Sequence, residues 1–512
     1  MSRRTISAQP RRRRRSPFRS AVVFSLVSLL AFSLGAPSAG AQELPPPSAQ
    51  LEPILGPFRD HPLVANSALA IQVMNLETGD EVFSLNADSA LVPASVTKVL
   101  TSAAALRTLG PTYRFSTEML RVDDINEDGI LEGDLYLRGT GDPGLVIEKL
   151  WKMLQDLQVE GVVEIDGDLV FDDTWFDREY LIAGWRKDVD LASGPAYFAP
   201  ISALSLNYNT VSIVVAPGGK AGEPARVQLE TPAEVIEIES EVQTVRSGKR
   251  SWIQVERSVD PKTHIVTFTL EGAVPVGADT ERHYRSVGNP IAWTMSATDA
   301  LLEQTGIKLN GKFRLDETPE EAEVLVTHRS PPLHELLNHT NKYSSNIMAE
   351  HVLKAMGAEV KGEPGTTEQG LEVVREYLDE LGIPRDEYTL INGSGLTRDA
   401  RLAPSHINAV MMDMYHHPQV APEFMASLAV GGVDGTLRRR FNGTPGAVRG
   451  KTGSLNNVYC LTSYVRSGNG ETYALSFFAN ELRRSRPARA LQDAMGKVII
   501  EWDGTVPEPP AP

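Results

Sequence analysis

The hydrophobic and polar positions change period along the chain. "ALAIQVMNLETGDEVFSLN" (68–86) alternates at period two around the polar break Glu77–Asp80, which predicts a β-hairpin. In "LVPASVTKVLTSAAALRTLG" (91–110), Val96, Val99, Leu100, Ala103 and Leu106 recur at helical spacing, and Gly110-Pro111 ends the run. An amphipathic helix burying one stripe is expected there. From about Phe115 to Gly288 alternation dominates. "LEGDLYLRG" (131–139), "VSIVVAPG" (211–218) and "HIVTFTLEG" (264–272) read as strands, and "AEVIEIESEVQTV" (233–245) reads as a piece with an acidic, solvated face. Helical spacing returns at 289–306, 331–357 and 367–382, strands at 447–465 and 473–480, and a last helix near 485–502.

This order predicts a split domain. Residues 59–115 and 289–503 supply its hairpin, its helices and its closing strands, while 116–288 is an insertion of one or two β-rich domains with an inner piece about 173–245. The ends differ in character. "RRRRR" at 11–15, the apolar run 21–36 and "AGA" at 39–41 make residues 1–41 an expected signal peptide, too short to span a bilayer and followed by a cleavage site. Export to the periplasm or cell envelope follows, with no transmembrane anchor after cleavage. The Pro-rich stretch 42–58 is expected to be an extended lead-in, and 504–512 a flexible tail.

Charge narrows the partners. The chain of 512 residues carries −16, and the first 41 residues contribute eight arginines and no acid, so the remainder carries −24. Such a body argues against nucleic acid or an anionic membrane as the main partner. A single cysteine, Cys460, excludes an intramolecular disulfide framework, and its apolar setting makes it a small buried hydrophobe. No Cys/His cluster calls for a metal or other cofactor, so hydrolysis by side chains alone is the chemistry to look for.

Three short strings could carry it. Ser95 and Lys98 lie three residues apart at the start of a helix, on one face, so the amine can reach the hydroxyl. Burial and the helix N-terminus would lower the amine's pKa and let it accept the serine proton. Taken singly, the pair is an N-cap and a solvated lysine. Ser344-Ser345-Asn346 can aim Ser344 and Asn346 into one pocket only on a turn entering a helix; singly it is a cap. In "GKTGSL", Lys451 and Thr452 could bind a substrate carboxylate, Gly453 would admit a close backbone, and the Ser454 N–H could join the Ser95 N–H as an oxyanion hole.

In this order the three strings are the Ser-x-x-Lys, Ser-x-Asn and Lys-Thr-Gly set of penicillin-binding proteins and class A β-lactamases. The chain resembles the class C low-molecular-mass penicillin-binding proteins, serine D-alanyl-D-alanine carboxypeptidase/endopeptidases. That family carries inserted domains between the first two motifs, and here Ser95 and Ser344 are 249 residues apart. "LYLRGTGDPGL" (135–145), "INGSGLTR" (391–398) and "GGVDGTLRRRF" (431–441) extend the likeness. The resemblance implies an α+β fold, a penicillin-binding/β-lactamase-like transpeptidase domain (antiparallel sheet with helices) interrupted by inserted β-rich domains. It implies peptidoglycan stem peptides as substrate and β-lactam antibiotics as inhibitors. It also implies Ser95 as nucleophile, Lys98 as base, Ser344 and Asn346 as relay and substrate holder, and Lys451 with Thr452 as carboxylate binders. By position in the family motifs, Asp142, Arg398 and Asn456 would approach the diaminopimelate end of the peptide, with a turn residue as the other reading of Asp142. A β-lactamase or esterase with the same motifs, and a non-catalytic wall-binding protein, are the rival readings.

Two strings carry less. "DINEDG" (124–129) begins like a calcium loop, but Leu135 stands where the bidentate glutamate belongs, so a β-turn is expected. Gly393-Ser394-Gly395 lacks the rest of a nucleophile elbow.

Overall fold

In the computed structural model, residues 47–185 and 193–505 are described; the expected signal peptide and most of the tail lie outside them. A six-stranded antiparallel sheet organises the molecule, in the order Ala429–Val430, Val448–Leu455, Val458–Arg466, Thr472–Asn480, Ala68–Asn75, Glu81–Leu85. The N-terminal hairpin thus pairs with the C-terminal strands, Ala68 lying opposite Asn480. The strands Val458–Arg466 and Thr472–Asn480 are buried at nearly every position because both faces are covered. Along Thr472–Asn480, Ala474 and Phe478 face one core while Leu475, Phe477 and Ala479 face another. The second core is closed by the helices Ser485–Glu501 and Pro47–Leu55. The latter corrects the extended lead-in: its leucines, Leu51 and Leu55, are one turn apart and wholly buried.

The helix Lys98–Thr108 lies at the centre of the first core. Lys98 through Leu106 are all buried, so it is covered on every side rather than along one stripe. The sequence allows this because Ala103, Ala104 and Ala105 admit close neighbours, and the two hydroxyls among them find partners. Thr101 Oγ1 donates to the Gly393 carbonyl at 2.8 Å, and Ser102 Oγ accepts from Asn341 Nδ2 at 3.0 Å. Around this helix pack Leu333–Lys342, Asn346–Lys361, Thr367–Glu380 and Pro404–His416.

The insertion is rich in strands, but it holds a helix the reading overlooked, Ile147–Val159, whose Leu150, Met153, Leu154 and Leu157 are buried at helical spacing. It packs on the helix Pro290–Thr305. That second helix and the strands to Arg329 were expected with the catalytic segment from 289. They pack with the insertion instead: Glu323–Arg329 pairs with Ser116–Arg121, Phe313–Leu315 with Leu169–Asp172, and Trp293 and Val326 share its core. The inner strands likewise run on past 245, since Trp252–Val259, Val266–Pro275 and Glu281–Ser286 complete the small sheets begun at Thr210. The 124–129 loop is a turn closed by Asn126, whose Oδ1 accepts from the backbone N–H groups of Asp128 and Ile130. Among the described residues, no helix is long and apolar enough to cross a membrane.

Candidate active site

Ser95 lies in a 3-10 turn, Ala94–Thr97, that leads into the central helix, so Lys98 is the first α-helical residue and Ser95 is not its cap. Lys98 is wholly buried. Its Nζ is 3.0 Å from Ser95 Oγ, 2.7 Å from Asn346 Oδ1 and 2.7 Å from the Ser394 carbonyl oxygen. Burial brings its pKa down to about 7, against the opposing pull of the Glu350 carboxylate. A neutral amine has two N–H bonds and one lone pair. Asn346 and Ser394 take the two N–H bonds, which leaves the lone pair facing the Ser95 hydroxyl. That is the geometry of a general base beside its nucleophile.

Each partner of the amine is itself fixed. Asn346 Nδ2 donates to the Tyr197 carbonyl at 3.0 Å, which sets the amide with Oδ1 toward Lys98. Ser394 is held by Glu350, one turn along the helix from Asn346: its carboxylate accepts from the N–H groups of Gly393 (3.0 Å) and Ser394 (2.8 Å). Glu350 is fully buried, which pushes its pKa up while these N–H groups pull the other way. Gly395 then passes at φ +71° beneath the nucleophile's turn, where an added Cβ would lie 2.0 Å from the Ala94 carbonyl oxygen. Trp185 Nε1 donates to Ser394 Oγ at 3.3 Å.

Ser344 and Asn346 do share the pocket by the turn the sequence required. Ser344 takes φ +61°, Ser345 caps the helix by accepting from Met348 N–H, and Asn346 begins the helix. The cap explains why the central position of this motif tolerates serine: it does local backbone work. Lys451 Nζ donates to Ser344 Oγ at 2.9 Å and to the Thr452 carbonyl at 2.7 Å. Burial, then the neighbouring Lys98, hold the Lys451 pKa well below the usual lysine range. Gly453 brings its strand against the nucleophile: a Cβ there would fall 2.5 Å from the Pro93 carbonyl and 3.2 Å from Ser95 N. Ser95, Ser344, Thr452, Gly453 and Ser454 line one cavity of about 710 Å³.

The three outer candidates separate. Arg398 Nη2 donates to the Asn456 carbonyl at 2.8 Å, so these two meet at the turn beyond Ser454. Asp142 does not line the Ser95 cavity. It is buried, its Oδ1 accepts from Gly144 N–H at 2.8 Å, and its Oδ2 is 3.4 Å from His328 Nε2. Asp142 thus closes its own turn, as the second reading of the sequence had it, and Arg398 and Asn456 likewise lie outside the lining of the Ser95 cavity. Glu350 and Ser394 were missed. Glu350 left one signal, an acid one turn after Asn346 that follows the apolar Ile347, Met348 and Ala349 in "NIMAEHVLKAM". The backbone role of Ser394 left none. Nor did the insertion's share of the site: Phe176, Ile182, Trp185 and Phe198 join the catalytic core, and Tyr197 orients Asn346.

A serine hydroxyl, a buried amine and a second serine–lysine pair around one cleft on an antiparallel sheet define a serine acyl-transfer enzyme with a penicillin-binding-type fold. The chain belongs to the D-Ala-D-Ala carboxypeptidase 3 (S13) family, whose model matches residues 51–500. It is similar to a D-alanyl-D-alanine carboxypeptidase of Actinomadura sp. (strain R39), with 32% identity over 95% of this chain and 91% of that one. It is similar to D-alanyl-D-alanine carboxypeptidase DacB of Haemophilus influenzae, with 28% identity over 79% of this chain and 84% of the relative. Among solved structures it resembles penicillin binding protein 4 (dacB) from Haemophilus influenzae, with TM-score 0.74 and 25% identity, covering 85% of this chain and 97% of that one. The expected family, α+β fold and serine D-Ala-D-Ala carboxypeptidase class therefore hold for this protein.

Proposed function

We propose that the protein is an exported carboxypeptidase in which Ser95 is acylated by the D-Ala-D-Ala end of peptidoglycan stem peptides. Ser95 Oγ attacks the carbonyl carbon of the bond between the two D-residues, and its proton passes to the Lys98 lone pair. The Ser95 and Ser454 N–H groups stabilise the oxyanion. The leaving amine takes a proton through Ser344, whose Oγ is linked to Lys451; water then releases the acyl group by the reverse relay. Thr452 and Ser454, with the Lys451 side chain beside them, hold the terminal carboxylate of the departing D-alanine. Arg398 and Asn456 form the rim past that point. The same acyl transfer applies to D-Ala–diaminopimelate cross-links, whose leaving group is a side-chain amine. β-Lactams present the same carbonyl and carboxylate and acylate Ser95.

The observation that carries this reading is the three-way clamp on Lys98 Nζ, which aims its lone pair at Ser95 Oγ. Location in the cell envelope rests on the leader-like composition of residues 1–41. The test is release of D-alanine from a synthetic pentapeptide. The protein should release it with turnover, and Ser95→Ala should lose that activity by at least about 10³-fold. A Ser95→Ala protein that keeps wild-type release contradicts the assignment.

A further inference from the structure

The Ser95 cavity continues past Thr452 and Ser454, between the 431–441 loop and the helix Ser485–Glu501, and its far wall carries Arg438, Arg439 and Arg489. All three are exposed, and none forms an ion pair among the described residues. Their neighbour Arg440 differs, being bound to Asp493 at 2.6 Å. In a chain of net charge −16, three unpaired guanidinium groups on the wall of the reactive cleft are a local reversal of sign.

The loop that presents two of them is held in place. Asp434 accepts from Val430 N–H at 2.7 Å and pairs with Lys342 at 2.6 Å. Gly435 passes so close to the Lys342 carbonyl that a Cβ would lie 2.5 Å from it, and Leu437 is buried beneath the turn. Lys342 is two residues before Ser344, so the arginines are anchored to the segment that carries the relay serine. Thr452 and Ser454 mark the leaving-group side of the scissile bond on the reading above. The arginines line the same cavity as these residues, and its whole volume of about 710 Å³ exceeds what one alanine needs. Guanidinium groups match carboxylates in shape and charge.

We propose that Arg438, Arg439 and Arg489 form a subsite for the free carboxylates of a second peptide on the leaving-group side, so that cross-linked peptides bind better than single stems. This rests on the Ser95 reading. The test compares wild type, Arg438→Ala/Arg439→Ala and Arg489→Ala on three substrates: a cross-linked peptide dimer with free carboxyls, the same dimer amidated, and a short D-Ala-D-Ala peptide with no other carboxylate. Benzylpenicillin acylation reports on Ser95 itself. In the double variant, kcat/KM on the free dimer should fall about five- to tenfold through KM, and added salt should narrow the gap. The short peptide and penicillin should react as with wild type, and wild type should lose a similar factor on the amidated dimer. Unchanged dimer cleavage in the variants, or an equal fall on every substrate, overturns the subsite while leaving Ser95 in place. Equal use of free and amidated dimers, with inhibition by a phosphate polymer that the variants relieve, assigns the arginines to phosphate and also overturns it. A wild-type enzyme that penicillin does not acylate removes both readings.

Discussion

Lys98 has no room for an ammonium's water, and its amine meets three oxygens. The base form is the deprotonated one, so acylation by benzylpenicillin should rise with pH through about 7 and level off above it. Glu350 is the negative charge that holds the Lys98 pKa up. Glu350→Gln removes it, so the rising limb should move to lower pH, and the plateau should drop about 10- to 100-fold as the Ser394 loop loses one of its two acceptors. Acylation rates measured across pH check both; a limb that stays or moves upward contradicts the charge relation. That Ser95, Lys98, Ser344, Asn346, Lys451 and Thr452 come together was legible in the sequence because the three strings carry particular residue types at particular spacings. Ser394 meets Lys98 through its carbonyl, which every residue has, so that role was invisible. Asp142 allowed two readings because an aspartate that caps its own turn and one that meets a substrate look alike in sequence.

Elements meet at the site through two glycines. Gly453 lets the Lys451 strand touch the nucleophile's turn, and Gly395 lets the Ser394 loop pass beneath it. Gly395→Ala meets both a positive φ and the Ala94 carbonyl at 2.0 Å. It should cost about 2–4 kcal/mol in denaturant unfolding and slow acylation markedly. Unchanged stability would show that the loop yields. A lesser effect belongs to Asp434→Asn, which weakens the Lys342 pair and should cost about 1 kcal/mol by the same unfolding measurement. The hairpin, the closing strands and the helices after 331 were legible as elements; Thr367–Glu380 buries the stripe its spacing shows, whereas Asn346–Lys361 is buried at every position from Asn346 to Ala358. The central helix was expected too, but its burial on every side was not, because its outer positions are alanines, serine and threonine buried through tertiary partners. The Ile147–Val159 helix was legible but overlooked among strands; its buried leucines repeat at three and four.

The molecule as a whole divides its apolar side chains between the cores on the two faces of the catalytic sheet and a separate one in the insertion. Trp293 fills the last, and its Nε1 donates to the Leu206 carbonyl at 3.0 Å. Trp293→Ala should cost about 3–5 kcal/mol. Hydrogen exchange should then lose protection over 116–329 before the catalytic sheet does. Uniform loss would show that the insertion and the sheet unfold as one. The insertion was expected from the alternating strand pattern of 116–288, but its extent to Arg329 was not. Its closing strands pair with partners about 140 to 210 residues earlier, and no local pattern records such pairing.

The proposed mechanism makes Ser95 the acylated nucleophile. Intact-protein mass after exposure to benzylpenicillin tests it most directly. The wild-type protein should gain the mass of one penicillin, located by peptide mapping to Ser95, and Ser95→Ala should gain none. A wild type that stays unmodified, or an adduct that persists in Ser95→Ala, would contradict the account.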